Sequence, residues 1–488
     1  MKGSENWIAL LVSAVYVICT LLLLLKSDPL KSGNAIPSED LFDEVKRTDT
    51  SSLASKQIRQ SDGSFHGHPI YYTAKALRSE VRCVGDNFGG NSWYYQSCLF
   101  REMCYDLNTK EFVIYTDQEP MNRSDMYIST SPYNKTVSGA GQPAAWFVQA
   151  SRGKFFPTIR KTQLEGYYRF PTDVVWLPYF PQSSCNPGHL VWDTFLPLYI
   201  LMEIFDISHL QPLLFQMSHP PDSLYRKMLD DNMCPQNLEK FLPLMGIFNL
   251  SGVSNDTFVD AVFREKPKSS LVCSPTSAAG IGMLTDHGLN KHGQAREDYF
   301  KPHNLGRALL MRRFRAFALR NANISDIGLG ANSTFILTFS TFSSGSPERM
   351  TSFVKQVDAI SEAFEADHSM DIMIKQVLLR EMTLNEQISL CTQSSIFVTT
   401  GGGGTVTATF LPKGATLIVF YHETEKDGFR VLMDWDLWNN YAEIKVHWLP
   451  IKSMDNTEDL QAFVELIKRE IQILRETLGD VWKATNIA

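Results

Sequence analysis

The segment from Asn186 to Asp193 reads Asn-Pro-Gly-His-Leu-Val-Trp-Asp. On a helix, His189 and Asp193 are four apart and share a face. A carboxylate beside an imidazole can orient it and support its protonated form, the arrangement a general base needs. A helix-start histidine in a structural ion pair is the other reading of the same residues. A second stretch, Val398–Thr407, reads Val-Thr-Thr-Gly-Gly-Gly-Gly-Thr-Val-Thr. Glycines between a strand and a helix allow positive φ and close backbone approach to a ligand, and free N–H groups at the start of the next helix suit a diphosphate. Thr400, Gly401, Gly402, Gly403, Gly404 and Thr405 are the candidates there. No lysine follows the glycines, which excludes a Walker A loop, and the spacing is not that of dinucleotide binding. A tight turn in a parallel sheet is the alternative.

Other residues carry less. His66/His68 and His287/His292 lack metal-ligand spacing and read as loop histidines. Arg312, Arg313, Arg315 and Arg320 read as a solvated basic helix face rather than a phosphate site. Asp434-Trp435-Asp436 resembles the D-x-D metal motif of other nucleotide-sugar enzymes but comes after the glycine stretch, so no metal is assigned.

The elements that must position these residues can be read from periodicity. Phe112–Tyr115, Val174–Tyr179, Pro212–Gln216 and Leu271–Cys273 read as short strands. His189–Phe205 reads as a helix with a kink near Pro197. Beyond residue 333 the alternation is clearer. Phe335–Phe339, Ile372–Ile374, Ile396–Val398 and Ala415–Phe420 are strand-like, and helical spacing runs from Met350 to Phe364 and over Leu384–Leu390. Strand and helix in alternation imply a parallel sheet covered on both faces. Leu460, Phe463, Val464, Ile467, Ile471, Leu474 and Leu478 form the stripe of a long closing helix.

Trp7–Leu25 is uncharged and ends in five leucines, before Lys26-Ser27-Asp28-Pro29. Its 19 residues nearly cross a hydrocarbon core of ~30 Å, and it lacks the small-residue cleavage site of a signal peptide. A retained anchor is expected, with a tail at 1–6 and a stem at 26–80 whose composition gives no helical or strand period. Asn122, Asn134, Asn249, Asn255, Asn323 and Asn332 each begin an N-x-S/T triplet, which places the body on the lumenal side. Of eight cysteines, Cys19 lies in the apolar run, and the odd remainder leaves at least one thiol free or paired between chains. A local disulfide is expected among Cys83, Cys98 and Cys104. The formal charge of −7 argues against nucleic acid as a partner.

Three segments together resemble glycosyltransferase family 61, the group of plant β-1,2-xylosyltransferases and animal O-linked N-acetylglucosaminyltransferases, with the enzyme group that extends O-mannose as the nearest pattern. Asn186–Tyr199, with His189, Asp193, Leu196-Pro197 and Leu198-Tyr199, is similar to the family's N…H…D..LP.Y helix. Leu271-Val272-Cys273 with Gly280 is similar to its L-C-F…G segment, and Phe410-Leu411-Pro412-Lys413-Gly414-Ala415 to the second half of its donor segment. The resemblance covers roughly residues 81–450. Two departures stand out. Gly401 falls where the family carries a histidine, and Ser340–Ser346 replaces an arginine-containing stretch, leaving only Arg349 near.

The resemblance implies an α/β fold of two Rossmann-like lobes (GT-B type) behind the transmembrane helix: an acceptor-side lobe at 81–310, a nucleotide-sugar lobe at 311–455 and a C-terminal helix at 456–488. It implies inverting transfer of N-acetylglucosamine, xylose or a similar sugar from a nucleotide sugar, expected to be a uridine diphosphate sugar, to a glycan or glycoprotein hydroxyl, without a further cofactor. His189 would be the base and Asp193 its orienting group. Arg349 and the Thr400–Thr405 stretch would hold the donor. A Golgi membrane location follows, type II and single-pass, with the endoplasmic reticulum as the alternative. A catalytically silent glycan-binding relative is the alternative function.

Overall fold

A computed structural model describes the chain from His68 to Thr485, apart from residues 85–96, 118–127, 130–153, 180–186, 217–237, 247–252, 281–307, 330–333, 343–350, 366–371, 422–437 and some shorter gaps. Residues 62–488 form one compact unit. Twelve strands precede the central helix of the chain: β1 Ile70–Ala76, β2 Glu80–Val84, β3 Ser97–Asp106, β4 Glu111–Tyr115, β5 Ile128–Ser129, β6 Lys154–Phe155, β7 Thr158–Arg160, β8 Leu164–Arg169, β9 Val174–Tyr179, β10 Gln211–Gln216, β11 Val253–Ser254 and β12 Leu271–Ala279. Ten of them build one mixed sheet whose main path runs β11-β10-β9-β12-β3-β4-β7, while β5 and β6 pair separately. The β9–β10–β11 side is parallel, but β12 runs antiparallel to β3 along nearly its full length.

That antiparallel pairing departs from the Rossmann-like lobe expected for this half. Two cysteine pairs bridge the antiparallel strands. Cys104 faces Cys273 across β3–β12, and Cys83 faces Cys98 across β2–β3; both pairs are disulfide-bonded. The local bond among Cys83, Cys98 and Cys104 is thus Cys83–Cys98. The bond from Cys104 to Cys273 joins positions 169 residues apart, which sequence spacing does not reveal. The segment 70–80, read as stem, belongs to the body, because β1 pairs with β8 and β2 with β3.

The helices are α1 Leu196–Ile204, between β9 and β10, and, after β12, α2 Ala308–Asn321, α3 Val354–Glu365, α4 Leu384–Gln393, α5 Gly403–Thr407 and α6 Thr457–Thr485. The remaining strands are β13 Phe335–Ser340, β14 Ile372–Val377, β15 Ile396–Thr400, β16 Thr416–Tyr421 and β17 Lys445–Pro450. They form an all-parallel sheet in the order β14-β13-β15-β16-β17. Such sheets are buried on both faces. Here α3 and α6 cover one face, packing Ile360, Phe463, Val464 and Ile467 on Leu337, Phe339, Val398 and Ile418. The other face, with Phe397, Leu417 and Val419, joins α4, α5, α1 and α2 in one core that continues to Val175 and Leu177 of the mixed sheet. Helix α4 starts at a capping box, Thr383 and Glu386 each satisfying the other's free backbone N–H.

One expectation is corrected here. Among the described residues no helix is long and apolar enough to cross a membrane. The longest, α6, has 29 residues, but Asp, Glu, Lys and Arg occupy its outer face and its apolar stripe is consumed by the parallel sheet. The fold class is therefore mixed α/β, without support for the transmembrane helix or for a membrane as a partner. Trp7–Leu25 lies outside the described residues.

Candidate functional site

The parallel sheet sets the place. From β13 the chain crosses through α3 to β14 on one side, then through α4 to β15 on the other. Connections thus leave in opposite directions at β13 and β15. In open α/β sheets, ligands bind outside the carboxyl ends of the strands at such a switch point. The glycine stretch begins at the carboxyl end of β15, at that point.

The backbone there is special. Gly402 has φ 122° and ψ −133°, a region open in practice only to glycine. The amides of the stretch divide into two groups. Gly401 donates to the Phe420 carbonyl at 3.0 Å. The Thr405 amide (3.1 Å) and hydroxyl (2.5 Å) both donate to the Gly402 carbonyl. Neither Gly401 nor Thr405 can therefore offer an amide to a ligand without breaking the turn. Gly403 and Gly404 lie in the first turn of α5, where no carbonyl stands four residues back in the helix. Of the N–H groups after Gly402 expected to face a diphosphate, those of Gly403 and Gly404 are in the position to do so. Helix α5 has only five residues, so its dipole adds little, since the macrodipole sums over aligned peptides.

Across the switch point, the Ser340 hydroxyl at the end of β13 is fully buried and has no hydrogen-bond partner. Most buried polar groups in proteins are satisfied, so each exception needs a reason. Two residues on, Phe342 is 38% exposed at φ 47°, a conformation that is an outlier for a bulky side chain. It is held there by its amide, which donates to the Thr351 carbonyl at 2.9 Å. Sequence reasoning noted this stretch only for lacking arginine. The sequence carries no signal for Phe342, because strain at a position shows only in the folded backbone.

The His-Asp motif lies on a π-helical turn, His189–Phe195, that runs directly into α1 with Pro197 in the first turn of α1. The irregularity expected near Pro197 thus takes the form of an i→i+5 turn just before the proline. His189 and Asp193 are the first and fifth residues of that turn; their side chains lie outside the described residues. Single π turns often occur at functional sites. Between them, Trp192 is buried and its indole N–H donates to the Thr409 hydroxyl at 2.9 Å. Thr409 belongs to the 3-10 turn Ala408–Phe410 that follows α5. Trp192 also meets Trp438 edge-on, with ring centroids 6.3 Å apart. The fold thus joins the two motifs, 217 residues apart in sequence, through one buried hydrogen bond.

Of the arginine stretch read as a solvated face, Arg312 and Arg320 are exposed, whereas Arg315 is not. Arg315 is 4% exposed and donates to Asp326 and to the Phe410 carbonyl. The guanidinium holds the Asp326 carboxyl below the usual carboxylate range. Arg312 pairs with Glu443 at 3.0 Å and Arg313 with Glu203 at 3.2 Å. These residues fasten α2 to its neighbours. Arg349, the Asp434–Asp436 motif, His66, His287 and His292 lie outside the described residues, as do Asn122, Asn134, Asn249, Asn255 and Asn332. Asn323 is exposed in the turn after α2 at φ 57°. His68 Nδ1 lies 3.0 Å from the Val262 carbonyl.

A separate open cleft of about 650 Å³ lies in the mixed-sheet half, lined by Glu80, Arg82, Arg101, Phe205, Asp206 and His209 among others. None of its lining residues belongs to the glycine stretch or the π turn. Compared with known proteins, the chain matches no family model and no curated entry.

Proposed function

We propose that the chain transfers a sugar from a nucleotide sugar to a hydroxyl acceptor with inversion at the anomeric carbon. The observation that carries this reading is the meeting of two motifs. A glycine turn with a glycine-only conformation sits at the switch point of a parallel sheet, and the His189–Asp193 turn is hydrogen-bonded to the segment that follows it. In this reading His189 removes the proton from the acceptor hydroxyl and Asp193 orients the imidazole. The oxygen then bonds to the anomeric carbon as the bond to the diphosphate breaks. The Gly403 and Gly404 amides take the charge that develops on the leaving group. Phe342 offers an exposed ring beside them for the nucleobase. The paired disulfides favour an oxidising compartment such as the secretory lumen, with the Golgi or the endoplasmic reticulum as the organelle.

The test is turnover of the full chain with a panel of uridine and guanosine diphosphate sugars and glycan acceptors, read as nucleoside diphosphate release. His189→Ala is expected to lower turnover by ~10²–10⁴-fold, the range a general base contributes, with donor binding retained. Turnover unchanged in His189→Ala refutes its role. A folded chain that binds glycans but none of the nucleotide sugars would favour the silent relative instead, a reading motivated by Gly401 at the family's histidine position.

A further inference from the structure

The open cleft of the mixed sheet has a chemistry of its own. On β3, Arg101 pairs in register with Thr276 of β12, and its guanidinium donates to that buried hydroxyl. On β2, Arg82 pairs with Leu99, two residues along β3 from Arg101. Since side chains alternate between faces, Arg82 and Arg101 stand on the same face as diagonal neighbours, within reach of one another for long side chains. The Arg82 guanidinium lies 5.6 Å from the centroid of the Phe205 ring, which holds it by cation–π attraction. Among the described residues neither arginine has a carboxylate within 4.0 Å, although Glu80 stands directly opposite Arg101 across the strand pair. Two guanidinium groups lining one cleft, one on a hydroxyl and the other over a ring, keep most of their N–H donors for something else. The group that fits that fork is a planar or tetrahedral oxyanion.

The rest of the lining adds to this. Glu80, Asp206 and His209 are exposed in the same cleft. Carboxylates accept hydrogen bonds from hydroxyl groups and repel a bare anion. The cleft volume, about 650 Å³, lies within the range of small-molecule sites. An anion alone would leave it largely empty, with Glu80 and Asp206 opposing the charge. A polyol that carries one anion satisfies both sets of groups. We propose that this cleft binds an acidic saccharide, a sugar bearing a carboxylate or a phosphate, with Arg82 and Arg101 on the oxyanion and Glu80 and Asp206 on the ring hydroxyls. The inference rests on these residues and stands whether or not the chain transfers sugars.

Calorimetric titration of the full chain with glucuronate, glucose 6-phosphate, glucose and inorganic phosphate tests it. At least one of the two charged sugars is expected to bind tenfold or more tightly than both glucose and inorganic phosphate; which one identifies the anion. Arg82→Gln combined with Arg101→Gln should abolish that preference, and Arg82→Gln alone, on an exposed side chain, should weaken it severalfold. Gly402→Ala should leave it intact, which separates this cleft from the glycine turn. The proposal is overturned if neither charged sugar binds tenfold more tightly than both glucose and inorganic phosphate, or if the arginine variants, with unchanged melting temperature, bind as the parent chain does.

Discussion

Replacing Gly402 by alanine separates backbone strain from ligand recognition, provided a second glycine serves as reference. Gly402 sits at φ 122° and ψ −133°, and a Cβ in that region costs on the order of 1–3 kcal/mol. Gly414 has φ 84°, and a Cβ built there meets only Leu329 Cδ1 at 3.5 Å, an ordinary contact. It lies in the turn before β16, where an L-residue in left-handed backbone costs ~1–2 kcal/mol. Both variants should therefore lose comparable stability in the absence of ligand. A nucleotide sugar at 100 times its dissociation constant stabilises the parent chain by ~2.7 kcal/mol. If the alanine displaces the Gly403 and Gly404 amides enough to weaken binding tenfold, that stabilisation falls by ~1.4 kcal/mol. Thermal unfolding of the parent, Gly402→Ala and Gly414→Ala chains with and without nucleotide sugar measures both effects. The expected result is a ligand shift that is reduced in Gly402→Ala and preserved in Gly414→Ala. Equal ligand shifts in the two variants would refute the reasoning, because the glycine turn would then be conformational only.

Three further outcomes follow from particular contacts. Trp192→Phe and Thr409→Val should each destabilise the chain by ~1–3 kcal/mol, since each leaves a buried polar partner; the double variant should cost less than the sum, and additivity within ~0.3 kcal/mol in urea unfolding would deny the hydrogen bond any energetic role. Replacing Cys104 and Cys273 together by serine opens a 169-residue loop closure and should lower stability by ~2–5 kcal/mol, read from denaturation midpoints under oxidising conditions. Stability should also fall with acid through the Glu470 cluster, where a 1% exposed carboxylate meets Lys445 at 2.8 Å and His447 at 3.0 Å. Burial of the His447 imidazole holds its pKa below the ordinary value of 6.5 despite Glu470, so the unfolded chain takes up that proton first and stability declines as pH drops below ~6.5. Burial raises the Glu470 carboxyl, but the Lys445 hydrogen bond and the His447 charge outweigh it, and its net pKa is lowered; its contribution is present above the ordinary carboxylate range and is lost as pH falls through the folded value. His447→Gln should remove the decline that begins below pH ~6.5 and keep the lower one. Identical urea midpoints against pH in the two chains would refute this.

Much of the second half of the fold was legible in the residues. Phe335–Phe339, Ile372–Ile374, Ile396–Val398 and Ala415–Phe420 carry short apolar runs separated by helical stripes, and each corresponds to a strand of the parallel sheet. Val174–Tyr179 was read with its observed ends. These elements are fixed by local periodicity, because a buried parallel strand and an amphipathic helix each need their own spacing of apolar side chains. The glycine turn and the His-Asp pair were also visible as residue types, since positive φ and proton transfer demand particular side chains.

Partnership between those elements was not legible. No local pattern states that β12 runs antiparallel to β3, that Cys104 meets Cys273, or that Arg315 is buried against Asp326 and the Phe410 carbonyl. The stem reading failed over 70–80, where β1 and β2 pair with β8 and β3, although Ile70-Tyr71-Tyr72-Thr73 consists of strand-favouring residues. The order of the parallel strands decided where a switch point falls, and only that order places the glycine turn beside Ser340 and Phe342. Sequence by itself determined which side chains could do chemistry. Tertiary structure decided which of them share a site, because hydrogen-bond partners and strained backbone are set by contacts between residues hundreds of positions apart.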